Sequence, residues 1–412
     1  MNRAVVTGLG PVSSIGIGRD AFLDALERGQ SGIRPVTAFD CHALRSKQAG
    51  EITGFRFEDY IDSQKTYLDR ASGLAFAAFR LALRDAGIQL DSEDRTRIGV
   101  LLGTAYGCMA TMDFFFRDLI EKGPKHVRPI LFPHVYANTP LSLLAIEYGI
   151  KGFHTAFSSG FTSSSSALLY GYDLITRGRA EIVLAGGVEA LSEVLFTACS
   201  GMHWLSPQDD RQEGCFPFDE RRNGIVLGEG AAMLVLEERQ HAKKRGAHIY
   251  AEFAGGGMFS DGSLSGAGPD GSPAVANAMA AAVQEARATP AEVDYVSAGA
   301  NSSIVADRKE AQGIEAFLGT NRRGPVVGSI KAATGETMGA AGALQAAAAV
   351  GAMQRGRIPP TLTHVRPEET FALRFAPQHA LERDVRLALV NSIDPGGAVA
   401  TLAFRKFEAG LP

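Results

Sequence analysis

The feature of this sequence that most constrains its fold is the alternation of short β-branched runs with longer runs rich in alanine and leucine. Residues 98–102 (Ile-Gly-Val-Leu-Leu) and 182–185 (Ile-Val-Leu-Ala) are typical of buried strands, whereas residues 71–86 and 162–175 have the length and composition of helices. Such alternation favours α/β layers with largely parallel strands, because parallel neighbours need crossover helices between them. The chain is therefore predicted to be an α/β protein.

The same succession of elements starts again near residue 248. This repetition predicts two similar halves, residues 1–245 and residues 246–412. Residues 262–273, rich in glycine, serine and proline, are predicted to be a surface loop. The predicted elements of the second half are helices at residues 274–286, 306–317 and 338–353 and strands at residues 295–297, 326–327, 387–390 and 398–404.

The charge balance argues against nucleic acid or a membrane surface as a partner. The 412 residues include 41 Lys and Arg against 45 Asp and Glu, so the basic excess typical of such partners is missing. The longest run of small apolar residues, 339–353, contains Gln345 and is shorter than the ~20 apolar residues that a bilayer span needs. Residues 1–6 are too short an apolar start for a signal peptide. A cytoplasmic protein is predicted.

Nothing in the sequence indicates a metal or a cofactor. The four cysteines show no CxxC spacing, so reduced thiols are expected, with Cys108 and Cys199 as small core residues. Gly8 and Gly10 begin like a dinucleotide-binding fingerprint, but the third glycine is missing and Pro11 stands where an amide donor is needed. A plain strand-to-helix turn is the favoured interpretation of this segment.

The most specific motif is residues 217–230, which read Pro-Phe-Asp-Glu-Arg-Arg-Asn-Gly-Ile-Val-Leu-Gly-Glu-Gly. This block resembles the signature of the β-ketoacyl synthases. Four further blocks match that family in the same order, at residues 5–10, 184–189, 328–331 and 334–342. The resemblance covers essentially the whole chain. It implies a thiolase-like fold, a duplicated arrangement of α-β-α-β-α layers.

The resemblance also locates the catalytic positions of the family, which are a cysteine and two histidines. The family's cysteine stands at a strand-to-helix turn whose backbone amides bind the developing oxyanion, and that position is Phe161 here. The two histidine positions are Gly299 and Glu336. The family's lysine is retained as Lys331, and Glu310 stands at a matching acidic position.

None of these replacements can perform the original role. Phe161 has no lone pair to carry an acyl chain, Gly299 has no side chain, and an ionised Glu336 would repel the carboxylate of malonate. Loss of an acid–base group alone commonly lowers a rate by ~10²–10⁴. A gate loop of the family, Gly-Phe-Gly-Gly-Thr-Asn, reads Asp-Pro-Gly-Gly-Ala-Val at residues 394–399. No catalytic residue is therefore expected, and Lys331 is expected to form an ion pair that supports the pocket.

Serines close to Phe161 offer an alternative nucleophile. They lie at residues 158–159 and 163–166, but a serine needs a base, and no histidine occupies the matching motifs. His154 is near in sequence, on an extended run, which does not by itself indicate a triad. The favoured interpretation is that these small residues let the helix pack closely at a subunit interface.

Chains of this family that lack the cysteine resemble chain-length factors, the ketosynthase β-subunits of type II polyketide synthases. The resemblance implies a heterodimer with a catalytic Cys-His-His ketosynthase α-subunit, and an acyl carrier protein that carries the growing chain. It also implies that the polyketide extends from the partner's cysteine into a cavity of this subunit, whose depth limits chain length. Many chain-length factors carry glutamine where this chain has Phe161, so decarboxylation of malonyl-carrier is not expected here.

The cavity is predicted to involve five residues. Tyr106 occupies the family's acyl-gate position, and Met109, Met112 and Phe116 follow at i, i+3 and i+7 on one face of a predicted helix. With Phe161, these bulky side chains would form the floor of the cavity, and ordinary core packing is the alternative.

Two other functions stay open at this point. One is a divergent acyltransferase or malonyl-carrier decarboxylase that acts as a homodimer through other residues. The other is a purely stabilising subunit that does not shape the product.

Overall fold

A computed structural model describes residues 2–262, 273–319 and 324–408. The predicted surface loop at residues 262–273 lies almost entirely outside the described residues. Within the described ranges, every helix falls short of the length and apolarity that a bilayer-spanning segment requires.

The described chain alternates strands and helices, as the sequence predicts. The strands are β1 (Ala4–Ser13), β2 (Gly16–Ile17), β3 (Arg34–Pro35), β4 (Gln48–Ala49), β5 (Ile98–Gly103), β6 (His154–Phe157), β7 (Ile182–Glu189), β8 (Gly230–Glu238), β9 (Ala251–Ser260), β10 (Tyr295–Ser297), β11 (Val326–Gly328), β12 (Arg357–Ile358), β13 (Arg374–Phe375), β14 (Leu381–Glu382), β15 (Leu387–Ile393) and β16 (Ala398–Lys406). The helices are α1 (Arg19–Glu27), α2 (Arg70–Ala86), α3 (Met109–Lys122), α4 (Thr139–Glu147), α5 (Ser163–Thr176), α6 (Glu193–Gly201), α7 (Arg239–Lys244), α8 (Pro273–Glu285), α9 (Ile304–Leu318), α10 (Lys331–Thr334) and α11 (Ala341–Arg355).

The large sheet shows an internal duplication. Its order is β6-β5-β7-β8-β1 in the first half and β11-β10-β15-β16-β9 in the second, with β13 added at the second edge. If the five strands of each half are numbered along the chain, both orders read 3-2-4-5-1. Antiparallel pairing of β1 with β9 joins the two halves. The predicted duplication is therefore present in the strand order, whereas the division at residue 245, between α7 and β9, stays a prediction.

The sheet is parallel only towards its two ends. Strand β5 pairs in parallel with β6 and β7, and β10 pairs in parallel with β11 and β15. Between these groups, each successive pair in the order β7-β8-β1-β9-β16-β15 is antiparallel. The prediction of largely parallel strands was wrong for this central part. One reason is that β15 and β16 are joined by a short turn, which needs no crossover helix.

Helices α5 and α11 form the middle layer of the molecule. They pack against each other, α5 also packs on β5 and β7, and α11 packs on β8 and β15. Nearly all of α11 is buried, and a side chain at Gly342 would overlap Ser165 of α5. The small residues of both helices thus permit close contact within this chain, and the predicted packing of the serines at a subunit interface stays a prediction.

Two other helices cover the outer faces and complete the predicted layers. Helix α2 packs on β1 and β8, and α8 packs on β9 and β16. The order of layers is therefore α-β-α-β-α, the thiolase-like arrangement that the family blocks imply. This order places the start of α5, which follows β6, next to the loop between β15 and β16.

Candidate functional site

Phe161 lies at the predicted strand-to-helix turn, between β6 and α5. Residues 160–162 form a single 3₁₀ turn, and Gly160 has a φ of 61°, a left-handed conformation that favours glycine. The backbone N–H of Phe161 donates a hydrogen bond to Oδ1 of Asp394, at 2.9 Å. Asp394 comes from the loop between β15 and β16, so the two halves of the chain meet at this turn. The amide that would face a reacting carbonyl already has an anionic acceptor.

The Phe161 side chain is part of the core. It is 3% exposed, and the edge of its ring meets the Trp204 ring, with the centroids 6.4 Å apart. The buried apolar side chains that form the same cluster are those of Cys41, Ala49, Leu191, Leu195, Phe196, Cys199, Leu205, Ile225, Leu227 and Met338. The nucleophile position is therefore filled by hydrocarbon that packs against other hydrocarbon.

A buried ion pair occupies the second histidine position. The Lys331 ammonium lies 2.7 Å from Oε2 of Glu336, and both side chains are almost fully buried. The same carboxylate accepts a hydrogen bond from Asn301 Nδ2 at 2.7 Å and one from the backbone N–H of Met338 at 2.8 Å. Lys331 also donates to the Gly299 carbonyl at 2.6 Å. This arrangement agrees with the expected ion pair and satisfies the charge of Glu336 internally.

The first histidine position faces a second buried acid. The Gly299 N–H donates to Oε1 of Glu310 at 2.9 Å, and Asn391 Nδ2 donates to the same oxygen at 3.1 Å. The other oxygen, Oε2, is buried and has no hydrogen-bond partner among the described residues. Burial raises the pKa of Glu310 to about 7. An unpartnered buried oxygen costs less free energy on a protonated carboxyl than on a carboxylate. The missing partner of Oε2 and the raised pKa of Glu310 therefore both favour the protonated form.

A pocket of about 220 Å³ lies beside Phe161, and neither Gly299 nor Lys331 nor Glu336 is among the residues that line it. Phe161, Trp204 and Ile225 line its first side, and Asn301 and Asp394 line it from the C-terminal half. At the positions that the family resemblance assigns to catalysis, the side chains thus offer no thiol nucleophile and no free neutral donor.

The predicted cavity residues do not all meet at this pocket. Tyr106 is half-buried and packs against the apolar cluster around Phe161. Met109 and Met112 are half-buried on α3, and Phe116 is 45% exposed. None of these three lines the described pocket. Their role in a cavity completed by a second subunit stays a prediction.

The alternative nucleophiles are poorly placed. Ser163 to Ser166 are buried and hydrogen-bonded within the chain, for example Ser165 Oγ to Ser392 Oγ at 2.7 Å. His154 is exposed on β6. Burial raises the pKa of the Cys199 thiol to about 12, and it also raises the pKa of the Cys108 thiol. Across the described ranges, no group of three or more metal-ligating side chains comes together.

Sequence reasoning missed the contact between Asp394 and Phe161. The signal was visible, since an aspartate replaces a glycine at residue 394 of the gate loop. The sequence could not predict where the Asp394 side chain lies in space, because it contacts the backbone amide of a residue 233 positions away along the chain. Trp204 was likewise not expected beside Phe161.

Comparison with known proteins decides the family. Residues 1–242 match the N-terminal domain of the beta-ketoacyl synthases, and residues 250–365 match their C-terminal domain. The chain belongs to the β-ketoacyl synthase family. Its relatives include the 3-oxoacyl-[acyl-carrier-protein] synthase 2 of Staphylococcus aureus (strain COL), 32% identical over 410 residues that cover 99% of each chain.

Two solved structures are similar to this β-ketoacyl synthase homologue over nearly its whole length. The ishigamide ketosynthase/chain length factor matches with a TM-score of 0.93 and 30% identity, over 99% of this chain and 100% of the other. A type II PKS acyl-carrier protein in complex with its ketosynthase bound to the hexaketide matches with a TM-score of 0.89 and 27% identity, over 98% and 100%. The likeness thus includes both synthases and assemblies that contain a chain length factor.

Proposed function

We propose that this β-ketoacyl synthase homologue is a non-catalytic chain-length factor. It pairs with a catalytic Cys-His-His ketosynthase and helps to form the cavity that limits the length of a polyketide chain. The observation that carries this proposal is the state of the nucleophile position. Phe161 fills it with a buried ring, and Asp394 occupies the amide of the same residue. No acyl chain can be attached here.

The histidine positions support the same conclusion. A decarboxylating site needs a neutral donor for the carbonyl of malonyl-carrier. Glu336 instead carries a carboxylate held by Lys331, Asn301 and a backbone amide. Gly299 offers no side chain at all. The first alternative, a divergent acyltransferase or malonyl-carrier decarboxylase that acts as a homodimer, would therefore have to use residues other than these.

An unpaired sheet edge supports the need for a partner subunit. Among the strands that the structure describes, β6 ends the order of the large sheet and pairs on one side only, with β5. Next to it, Ile146 is 75% exposed and Phe153 is 38% exposed. An edge strand flanked by exposed apolar side chains is a surface that folded proteins normally cover.

A second exposed surface lies on α3 and the following segment. We call it the α3 patch, and its members are Phe114, Phe116, Ile120, Ile130, Phe132 and Tyr136, each more than 40% exposed. The ring centroids of Phe132 and Tyr136 lie 5.4 Å apart, so these two side chains form a continuous part of the patch. Such aromatic, apolar surface is typical of subunit interfaces. Three of the five predicted cavity residues, Met109, Met112 and Phe116, lie on the same helix, which links the proposed partner surface to the proposed cavity.

The relatives supply the classes of partner. One similar structure is a ketosynthase/chain length factor, and another joins an acyl-carrier protein to its ketosynthase. By this likeness, we assign the partner to the catalytic ketosynthases and the carrier of the growing chain to the acyl carrier proteins.

The deciding experiment measures activity with and without a partner. The chain is expressed alone and together with a Cys-His-His ketosynthase, and each preparation is incubated with malonyl-carrier. The expected result is copurification of the pair, polyketide formation by the pair, and no extension, acylation or decarboxylation by this chain alone. Extension of an acyl thioester by the chain alone would refute the proposal.

The purely stabilising alternative needs a different readout. It predicts that substitutions on the cavity face do not change the length of the product, provided that the pair stays assembled. The chain-length proposal predicts a change in product length under the same conditions.

A further inference from the structure

The contact between Asp394 and Phe161 has a consequence that loss of the cysteine alone does not have. In acyl transfer, the amide of the nucleophilic residue is a natural donor for the oxyanion that forms on the attacked carbonyl. Here that amide donates to Asp394 Oδ1 at 2.9 Å, and Oδ2 of the same carboxylate accepts the Gly396 N–H at 2.7 Å. One side chain therefore holds amides on both sides of the site.

The surroundings fix the carboxylate in this position. Gly160 has no side chain, and any Cβ there would overlap Asp394. The start of α5 adds the positive end of a helix dipole, which favours an anion near its first turn. The backbone of Asp394 is itself held, because its N–H donates to Ala398 and its carbonyl accepts from Gly397.

We propose that the Asp394 carboxylate is a built-in occupant of the oxyanion-binding position, so that this subunit is blocked against acyl transfer independently of the missing nucleophile. Asp394 acts as a positioning residue that ties the β15–β16 loop to the start of α5. This inference rests on the proposed function, since it describes how a non-catalytic subunit keeps that site closed.

The test restores the nucleophile and then removes the block. Phe161→Cys supplies a thiol in the full-length chain. The second variant combines Phe161→Cys with Asp394→Gly, which restores the residue type of the family's gate loop. The third variant combines Phe161→Cys with Asp394→Ala. Each is incubated with hexanoyl-coenzyme A. The cysteine thiolate attacks the thioester carbon, the new carbon–sulfur bond forms, and coenzyme A leaves as a thiolate that takes a proton from solvent.

Two rates are compared for every variant. Acylation is followed by the intact mass of this chain, which also distinguishes it from any copurifying subunit. Alkylation by iodoacetamide is followed in parallel, because it reports the thiolate fraction and forms no oxyanion. Removing an oxyanion-hole donor commonly lowers a rate by ~10²–10³. Freeing the amide is therefore expected to raise acylation at least about tenfold more than alkylation.

The outcomes distinguish occupation of the Phe161 amide by Asp394 from simple repulsion between the Asp394 carboxylate and the introduced thiolate. Equal increases in both rates would mean that Asp394 only disfavours the thiolate, and the proposal would be wrong. Unchanged acylation in folded variants would also overturn it. Thermal unfolding of each variant establishes that it is folded, and Asp394→Ala serves where the glycine loosens the loop. The ratio of rates does not depend on whether the natural chain sets product length, so the proposed function can fail separately.

Discussion

The Lys331 ammonium and the Glu336 carboxylate form an ion pair of 2.7 Å inside the protein, and the family resemblance assigns residue 336 to a histidine position. The pair has a structural role, because each charge compensates the other inside the protein. A lone Lys331 would be an uncompensated buried charge, and Glu336 neutralises it while also accepting from Asn301. Glu336 thus gives the buried Lys331 a hydrogen-bonded counter-charge.

The first prediction concerns this pair. Glu336→Ala is expected to lower the free energy of unfolding by about 3–5 kcal/mol, because it leaves Lys331 buried without a counter-ion. Combining Lys331→Met with Glu336→Leu is expected to recover most of the loss. Denaturant unfolding of the single and double variants measures both effects.

A matched control is the exposed pair of Arg177 and Asp173 on α5. Asp173→Ala is expected to change stability by less than about 1 kcal/mol. A loss for Glu336→Ala as small as that of the control would contradict the buried-charge explanation.

The second prediction concerns pH. The pKa of Glu310 is raised from 4.5 to about 7, so between these values the folded state keeps a proton that the unfolded state has released. The free energy of unfolding therefore falls as the pH rises through this window. Glu310→Gln cannot ionise. It should be the more stable protein at pH 8, by up to about 3 kcal/mol, with a smaller difference at pH 5.

Unfolding curves measured from pH 5 to pH 8 test this sign. Burial also raises the pKa of Asp307 and of Glu189, so Glu310→Gln should remove only part of the pH dependence. The exposed Glu369→Gln serves as the control and should leave the slope unchanged. Parallel curves for Glu310→Gln and the natural protein would show that Glu310 does not titrate as described.

The third prediction concerns chain length. Met112→Ala or Phe116→Ala is expected to lengthen the polyketide made by the reconstituted pair, because each removes bulk from the α3 face predicted to floor the cavity. Product masses report the result. Glu121→Ala changes an exposed residue of the same helix and should leave the products unchanged. An unaltered product distribution from both variants, in an intact pair, would support ordinary packing.

The fourth prediction concerns the partner surface. Phe132 is 50% exposed in the α3 patch, and Phe132→Asp would place a charge in a covered apolar interface. Recovery of the partner ketosynthase in copurification is expected to fall at least about tenfold. Val365, 57% exposed and outside the patch, provides the control substitution Val365→Asp. Equal recovery for the two variants would place the interface elsewhere.

Much of the fold was accessible to sequence reasoning because its elements have strong local signals. The helices predicted at residues 71–86 and 162–175 are present as α2 and α5, and the buried strands as β5 and β7. Hydrophobic periodicity reports which residues face a core. Strand direction has no such signal, which is why the antiparallel centre of the sheet was not predicted.

The site divides in the same way. The family blocks placed Phe161, Gly299, Lys331 and Glu336, and the structure brings all four into one region around Asn301. Residue identity alone established that no thiol or imidazole stands there. The Met and Phe residues of α3 were assigned to one helix face, which helical geometry dictates, but their exposure depends on what covers that face.

The sequence by itself determined the family, the duplicated α/β plan and the residue types at the predicted catalytic positions, because these follow from residue types at fixed spacings. The tertiary structure decided the rest. It brought Asp394 to the amide of Phe161 and closed Lys331 against Glu336 in a buried setting. A hydrogen bond depends on distance and direction in space, and no local pattern specifies those for groups that lie on different halves of a chain.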